Sequence, residues 1–506
     1  MDDEETGWLV ERLATESANS PRAFRTKVLL LSCVAYAVLF GALALLTLVW
    51  GYAVTHLMQF GMNRTVFLAG MVGLLLLPVA YVLLREMLTP LPTPAGRPVT
   101  RSEAPVLFKM LDKMQTKLKG PRIDWVLVDT EYNASVAQLP RWGLIGPSTN
   151  YLMLGLPFLF GQSTTETMAS VAREYAHLAA AHGKVHAWIY RQRRTMRAVH
   201  ERLEADESAT LVHTTLVRVL GAFMPYFNAY TFVLSRQDEF AADRVAGRVA
   251  GKDVTAAALV RLNLLATWFH NNFWSTLYAQ ADTRERPVFM PYQSMSTAFR
   301  MSHQEWATRA RLKAAWEEKS GVHDTHPCLR ERIEALGQKP ALPEALEKSA
   351  AATLLGRLAE HLANEFDQAW WNAEKKDWAE RNRYVKRSLA RLDALRGVAL
   401  ASLSLVDLQE LARLKAEFQT AAEAKPVLEF LLRQPGGPFP RAAYSLGCIL
   451  LDEGDQRGLQ YLTIAARNNR HLTNDALHAG YTFLRARNDD RQAQQWCDEV
   501  VERLAA

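Results

Sequence analysis

Residues 173–177 read Arg-Glu-Tyr-Ala-His, and they carry the strongest chemical signal in this 506-residue chain. In the motif H-E-x-x-H, two histidines on one helix face bind a zinc ion, and the glutamate deprotonates the zinc-bound water. Glu174 and His177 match the base and the second ligand of such a hydrolytic site. Arg173 stands at the first ligand position, where a guanidinium without a free lone pair cannot coordinate a metal.

Two later segments contain further groups of the same chemistry. Glu239 follows His177 by 62 residues and Asp243 lies one helical turn further on, so both carboxylates share one face of a helix predicted from about Tyr226 to Ala250. His326 precedes a proline later in the chain. At such a zinc site a third protein ligand from another helix completes the set, and the fourth position stays open for water and substrate.

The elements that must position these groups are mostly helices. Ser163 and Glu166 form a capping box, which predicts a helix from about Thr164 that contains Arg173, Glu174 and His177. Two short apolar runs, 125–128 and 151–154, read as strands, with 133–135 and 144–146 as further strand or loop material. We expect this to be the only β region.

Two long apolar runs precede this region. Residues 28–54 and 65–84 carry no formal charge, and each is long enough to cross a bilayer as a helix. Basic residues flank the pair on both outer sides, whereas the loop between the runs holds only Arg64, so we expect both ends to face the cytoplasm. The prediction is a transmembrane hairpin over 28–84 in a bacterial-type inner membrane or another plasma membrane. The alternative is two buried helices of a soluble protein.

Taken together, these elements resemble the integral-membrane zinc metallopeptidases of the CAAX prenyl protease and HtpX type over residues 100–340. The resemblance implies a mainly α, α+β gluzincin-like peptidase domain that binds one zinc ion. It implies that Glu174 is the general base, that His177 and Glu239 are zinc ligands, and that Asp243 accompanies Glu239. His326 is then expected to bind the substrate or stabilise the transition state.

Arg173 changes what this resemblance implies for zinc. A guanidinium about 4 Å from a dication costs on the order of 8 kcal/mol at an effective dielectric constant of ~20, so we expect zinc binding to be weak or absent. We expect the guanidinium to bridge Glu239 or Glu174 instead. A relocated zinc site that uses His177, His182 or His186 is one alternative. A sporadic substitution in an active lineage is another.

The remaining segments add an N-terminal cytoplasmic stretch and C-terminal helices. Residues 1–27 precede the hairpin, and residues 342–432 have a helix-forming composition. Residues 433–506 show weak self-similarity with a period of some 33 residues, which is typical of paired-helix repeats of the tetratricopeptide or Sel1-like kind. Generic helical hairpins are the alternative. Either arrangement predicts an all-α region that recruits protein partners.

Composition narrows the possible functions. The net charge is +6, but the 59 basic and 53 acidic residues are interleaved, which argues against nucleic-acid binding. The four cysteines are far apart and form no metal or redox motif. The prediction is a membrane-anchored zinc metalloendopeptidase-like protein acting on membrane or cytosolic polypeptides, with activity impaired or lost. The alternative is a catalytically silent pseudoprotease that serves as a membrane-tethered peptide- or protein-binding scaffold.

Overall fold

A computed structural model describes residues 3–90, 92–142, 145–179, 211–320, 326–487 and 490–505. It is mainly helical and contains one four-stranded sheet. The chain divides into two compact units, of which the first comprises Met1–Leu277 with Phe289–Ala373 and the second Tyr278–Val288 with Glu374–Ala506.

The sheet of the first unit has the strand order β1-β2-β4-β3. Its strands are β1 (Arg97–Val99), β2 (Trp125–Asp129), β3 (Ala134–Trp142) and β4 (Ile145–Gly155). β2 and β4 run parallel, and the other two pairs are antiparallel. The predicted strands are confirmed. Of the further strand or loop material, residues 134–135 belong to β3 and residues 145–146 to β4, while residue 144 lies outside the described residues. The short strand β1 was not predicted.

The other elements of the first unit are mostly helices. They are α1 (Asp3–Asn19), α2 (Pro21–Phe60), α3 (Arg64–Leu88), α4 (Pro105–Leu118), α5 (Leu156–Gly161), α6 (Thr164–Leu178), α7 (Leu211–Ala250), α8 (Lys252–Trp268), α9 (Trp274–Ala279), α10 (Pro291–Met301), α11 (His303–Trp306), α12 (Arg309–Glu317), α13 (Leu329–Ala335) and α14 (Ala350–Leu354). Alternating strand residues such as Val126, Val128 and Leu152 point into a core shared with α6 and α8. The sheet therefore supports the helices that hold the candidate site.

The helix that carries Glu239 begins earlier than expected. α7 starts at Leu211 instead of about Tyr226, and Pro225 lies inside it. Proline usually ends a helix because it removes one backbone hydrogen bond, which explains why the earlier start was missed. Its predicted end is confirmed, since Gly251 follows with a φ of +107°, a conformation that favours glycine.

The N-terminal helices pack on α7. Val10 of α1 and Phe24 and Val28 of α2 share a buried cluster with Ala229 and Phe232 of α7. The two apolar runs are helical, and α2 continues to Phe60, so the turn before α3 is shorter than predicted. In the described portion of the chain, no helix is long and apolar enough to cross a membrane. The transmembrane hairpin is therefore not confirmed.

The second unit is an array of helices. They are α16 (Leu405–Phe418), α17 (Ala421–Leu432), α18 (Pro440–Asp452), α19 (Gly458–Asn468), α20 (Thr473–Arg485) and α21 (Asp490–Ala505), while α15 (Arg357–Arg396) contributes to both units. α18 and α20 begin 33 residues apart, and each packs against the helix that follows it. Gly447 and Gly458 permit close contact between α18 and α19, because a Cβ on Gly458 would lie 2.6 Å from the Gly447 carbonyl oxygen. The predicted domain bounds stay predictions.

Candidate functional site

The start of α6 is fixed by the predicted capping box. The Ser163 Oγ accepts a hydrogen bond from the Glu166 backbone N–H at 3.2 Å, and Glu166 Oε2 accepts one from the Ser163 N–H at 2.8 Å. Both Glu166 oxygens also accept from the Nε of buried Arg261, at 2.9 and 3.0 Å. This second contact anchors the helix that carries Arg173 and Glu174.

α6 and α7 approach closely because small side chains line their contact. Ala176 of α6 packs with Ala242 and Val245 of α7, and all three are fully or almost fully buried. Short side chains allow two helix backbones to come near each other. As a result Glu239 and Asp243, on the same face of α7, lie next to the motif residues of α6.

Arg173 lies between two carboxylates. Its Nη1 donates a hydrogen bond to Glu239 Oε2 at 3.0 Å, and its Nη2 donates one to Glu174 Oε1. All three residues are buried. Burial alone would lower the pKa of Arg173, but the charges of Glu174 and Glu239 outweigh it and hold this pKa above its usual value. The predicted bridge is present, and the Arg173 guanidinium contacts both carboxylates, Glu174 and Glu239.

The second oxygen of Glu239 faces two histidines. His177 Nε2 lies 3.4 Å from Glu239 Oε1, and His326 Nδ1 lies 3.1 Å from the same atom. Burial opposes a charged His177, yet its hydrogen bond to Glu239 raises the His177 pKa. Burial likewise opposes a charged Glu239, but Arg173 and the two histidines hold the Glu239 pKa well below its usual value. The structure therefore brings together all the predicted site residues on these segments.

Asp243 has a partner to which the sequence analysis gave no role. Arg332 of α13 donates two hydrogen bonds to Asp243, from Nε at 2.9 Å and from Nη2 at 2.7 Å. The same Nη2 lies 3.8 Å from Glu239 Oε2. In the sequence, Arg332 is only an arginine six residues after His326. That position does not show that Arg332 pairs with Asp243.

The residues at this site do not fit a zinc ion. Within the described ranges, no three His, Cys, Asp or Glu side chains are grouped so as to hold a metal. Arg173 is bonded to both Glu174 and Glu239, so the carboxylates that would supply the base and a ligand already have a cationic partner. The alternative ligands His182 and His186 lie outside the described residues. The catalytic and metal-binding roles assigned to the site residues stay predictions.

A strand edge adjoins the cluster. β3 is the last strand of the sheet and pairs only with β4 along the described part of the sheet. β3 also contacts α6. Its free edge therefore presents backbone N–H and C=O groups beside the helix that holds Arg173.

The sheet, the capped helix and the carboxylate–histidine cluster define a metallopeptidase-like domain. Residues 123–339 match the model of peptidase family M48, and this match supports assignment of the segment to the M48 metallopeptidases. Members of that family are generally zinc-dependent. No curated protein and no solved structure shows significant similarity to the chain. The CAAX prenyl protease and HtpX branch stays a prediction.

Proposed function

We propose that this chain is a membrane-anchored M48-like protein whose peptidase site has become a zinc-free ion-pair cluster that binds polypeptide with little or no cleavage. The observation that carries the proposal is the position of Arg173 between Glu174 and Glu239. A buried guanidinium that bridges two carboxylates compensates one of their two negative charges, where a metal dication would compensate both. The cluster therefore folds without the ion.

Because of the same contacts, conditions that peptide hydrolysis requires are not met. A general base must contact the attacking water, and Glu174 Oε1 is already occupied by a hydrogen bond from the Arg173 guanidinium. His177 is directed toward Glu239, whose low pKa keeps that carboxylate ionised and attractive to the imidazole. Neither side chain is available in the state that water activation needs.

Polypeptide binding is supported by the open edge of β3. An extended peptide can add to a free strand edge, where main-chain hydrogen bonds supply affinity and neighbouring pockets select side chains. β3 contacts α6, so a peptide on this edge would lie near the helix that carries Arg173. The His326 side chain, which contacts Glu239, is 59% exposed. His326 is the cluster member most accessible to such a peptide.

Membrane anchoring is supported by the surface of α2 and α3. Many large apolar side chains on these two helices are exposed, among them Leu48 at 70% and Leu74 at 65%. Two helices with so many exposed large apolar side chains are unusual in a soluble monomer and are suited to lipid contact. By the distribution of basic residues, the soluble domain faces the cytoplasm.

The test of the silent site compares the wild type with Arg173→His, which restores H-E-x-x-H. We expect the purified wild type to contain far less than one zinc per chain by elemental analysis and to leave casein intact. Arg173→His is expected to gain zinc and cleavage, because it removes the competing charge and adds an imidazole.

Two controls make this comparison specific. Arg173→Gln removes the charge without adding a ligand and should gain neither zinc nor cleavage. Arg173→His combined with Glu174→Gln should gain zinc alone, since the ligands are present and the base is not. Stoichiometric zinc in the wild type, or equal cleavage by the wild type and Arg173→His, would overturn the proposal.

A further inference from the structure

A cavity in the first unit is lined by residues other than those of the Arg173 cluster. Its volume is about 80 Å³, and its lining includes Arg261 of α8, Ser296 and Arg300 of α10, His303 of α11 and Ser349, the N-cap of α14. A water needs roughly 10–15 Å³ of such volume, so there is room for one small polyatomic anion. Four separate helices supply polar groups to this one space.

Arg261 has one donor group left over. Its Nε donates to Glu166 and its Nη2 donates to the Glu344 carbonyl oxygen at 2.8 Å. Its guanidinium carbon lies 5.8 Å from the ring centroid of Trp306. The residue is only 4% exposed, yet Nη1 has no hydrogen-bond partner among the described residues. A buried N–H without a partner is rare in folded proteins, which points to a ligand for Nη1.

Neighbouring polar groups share this property. The Tyr132 hydroxyl and both amide atoms of Gln162 are buried; the two side chains lie close enough to interact with each other, but none of these atoms makes a hydrogen bond of good geometry in the described part of the chain. Gly161, which lines the cavity, is close enough that a Cβ there would lie 2.7 Å from the Tyr132 hydroxyl. The region beside the cavity therefore has unused hydrogen-bonding capacity.

The charges favour an oxyanion. Glu166 already neutralises Arg261, whereas Arg300 forms no ion pair within the described residues. Glu347 also lines the cavity, but it is exposed and lies in no ion pair with either arginine there. His303 Nε2 lies 2.8 Å from the Pro343 carbonyl oxygen, so that nitrogen must be the donor. Two guanidinium groups at one small cavity match the geometry of phosphate-like anions.

We propose that this cavity binds one small oxyanion of the phosphate class, held by Nη1 of Arg261 and by Arg300. Binding would connect α8 with α10 and, through the Arg261–Glu166 pair, would strengthen the N-terminus of α6. The inference does not depend on whether the Arg173 site is silent.

The test measures the thermal midpoint of the full-length protein during titration with inorganic phosphate and with sulfate, against sodium chloride at equal ionic strength. We expect a saturable, phosphate-dependent rise for the wild type. Arg300→Gln should weaken the apparent affinity at least five-fold, because it removes one of the two cations. Arg300 is exposed, so the variant should keep the wild-type midpoint in chloride.

Arg309→Gln is the matched control, since Arg309 is an exposed arginine on α12 outside the cavity. It should titrate like the wild type. The same midpoint for the wild type in phosphate and in chloride would overturn the proposal. So would an equal loss of affinity in Arg300→Gln and Arg309→Gln, because the effect would then be general charge screening.

Discussion

The buried charges around Glu239 nearly balance. Three carboxylates, Glu174, Glu239 and Asp243, meet two guanidinium groups, Arg173 and Arg332, which leaves one negative charge in excess. A protonated His177 would remove this excess, and the raised His177 pKa agrees with that state. The cluster is thus arranged as a set of alternating charges, and removal of Arg332 leaves Asp243 as a buried charge without its bidentate partner.

Arg332→Ala should destabilise the first unit strongly. It leaves the Asp243 carboxylate, which is 1% exposed, without its two charge-assisted hydrogen bonds. Loss of one partner of a buried pair typically costs about 3–5 kcal/mol. Urea unfolding should show this loss, whereas Arg330→Ala on the same helix should change the free energy of unfolding by less than about 0.5 kcal/mol. Equal effects would contradict the role given to Arg332.

The His177 contact should make stability depend on pH. Its pKa is raised in the folded state above the ordinary value of 6.5, so its contribution is complete below pH 6.5 and is lost as pH rises through the folded-state pKa. We expect the thermal midpoint of the wild type to fall over that alkaline range more than the midpoint of His177→Gln. Parallel pH profiles for the two proteins would show that the contact contributes nothing.

At the scale of elements, local signals located helix ends well where side chains or glycine determine them. The capping box at Ser163 gave the start of α6, and Gly251 gave the end of α7. The predicted start of α7 was wrong, since the helix continues through Pro225; α7 also contacts α2 and α3. Those contacts are between residues far apart in sequence, so no local pattern contains them.

The N-terminus of α6 yields a graded prediction. Ser163→Ala removes one capping hydrogen bond and should cost about 1 kcal/mol. Glu166→Ala removes the same box and also leaves buried Arg261 without its carboxylate, so it should cost about 3 kcal/mol or more. Thr164→Ala serves as the control and should be near neutral. A larger loss of unfolding free energy for Ser163→Ala than for Glu166→Ala in urea would contradict the double role of Glu166.

At the scale of the whole molecule, the order of motifs predicted which segments meet at the site, and the bridge from Arg173 to the carboxylates was expected from charge alone. The partner of Asp243 was not predicted, because the sequence contains many arginines and only the packing of α13 selects Arg332. The phosphate-class cavity was also not predictable from the sequence, since its lining comes from α5, α8, α10, α11 and the segment that precedes α14.

Membrane anchoring is testable on the exposed faces of α2 and α3. We expect the full-length protein to remain in the membrane fraction after alkaline carbonate extraction. Leu48→Lys combined with Leu74→Lys should shift it to the soluble or degraded fraction, because a lysine near the bilayer centre costs roughly 2.5–3.5 kcal/mol. Val406→Lys, at an exposed site of the second unit, is the matched control. Extraction of the wild type by carbonate would count against the anchor.

α7 joins two regions that are otherwise far apart in the sequence. Ala229 and Phe232 hold it against α1 and α2, and Glu239 and Asp243 follow on the same unbroken helix within about 21 Å at 1.5 Å per residue. A helix segment of that length bends little between its ends. If the N-terminal helices contact lipid as proposed, a tilt imposed on them would therefore displace the ion-pair cluster through α7.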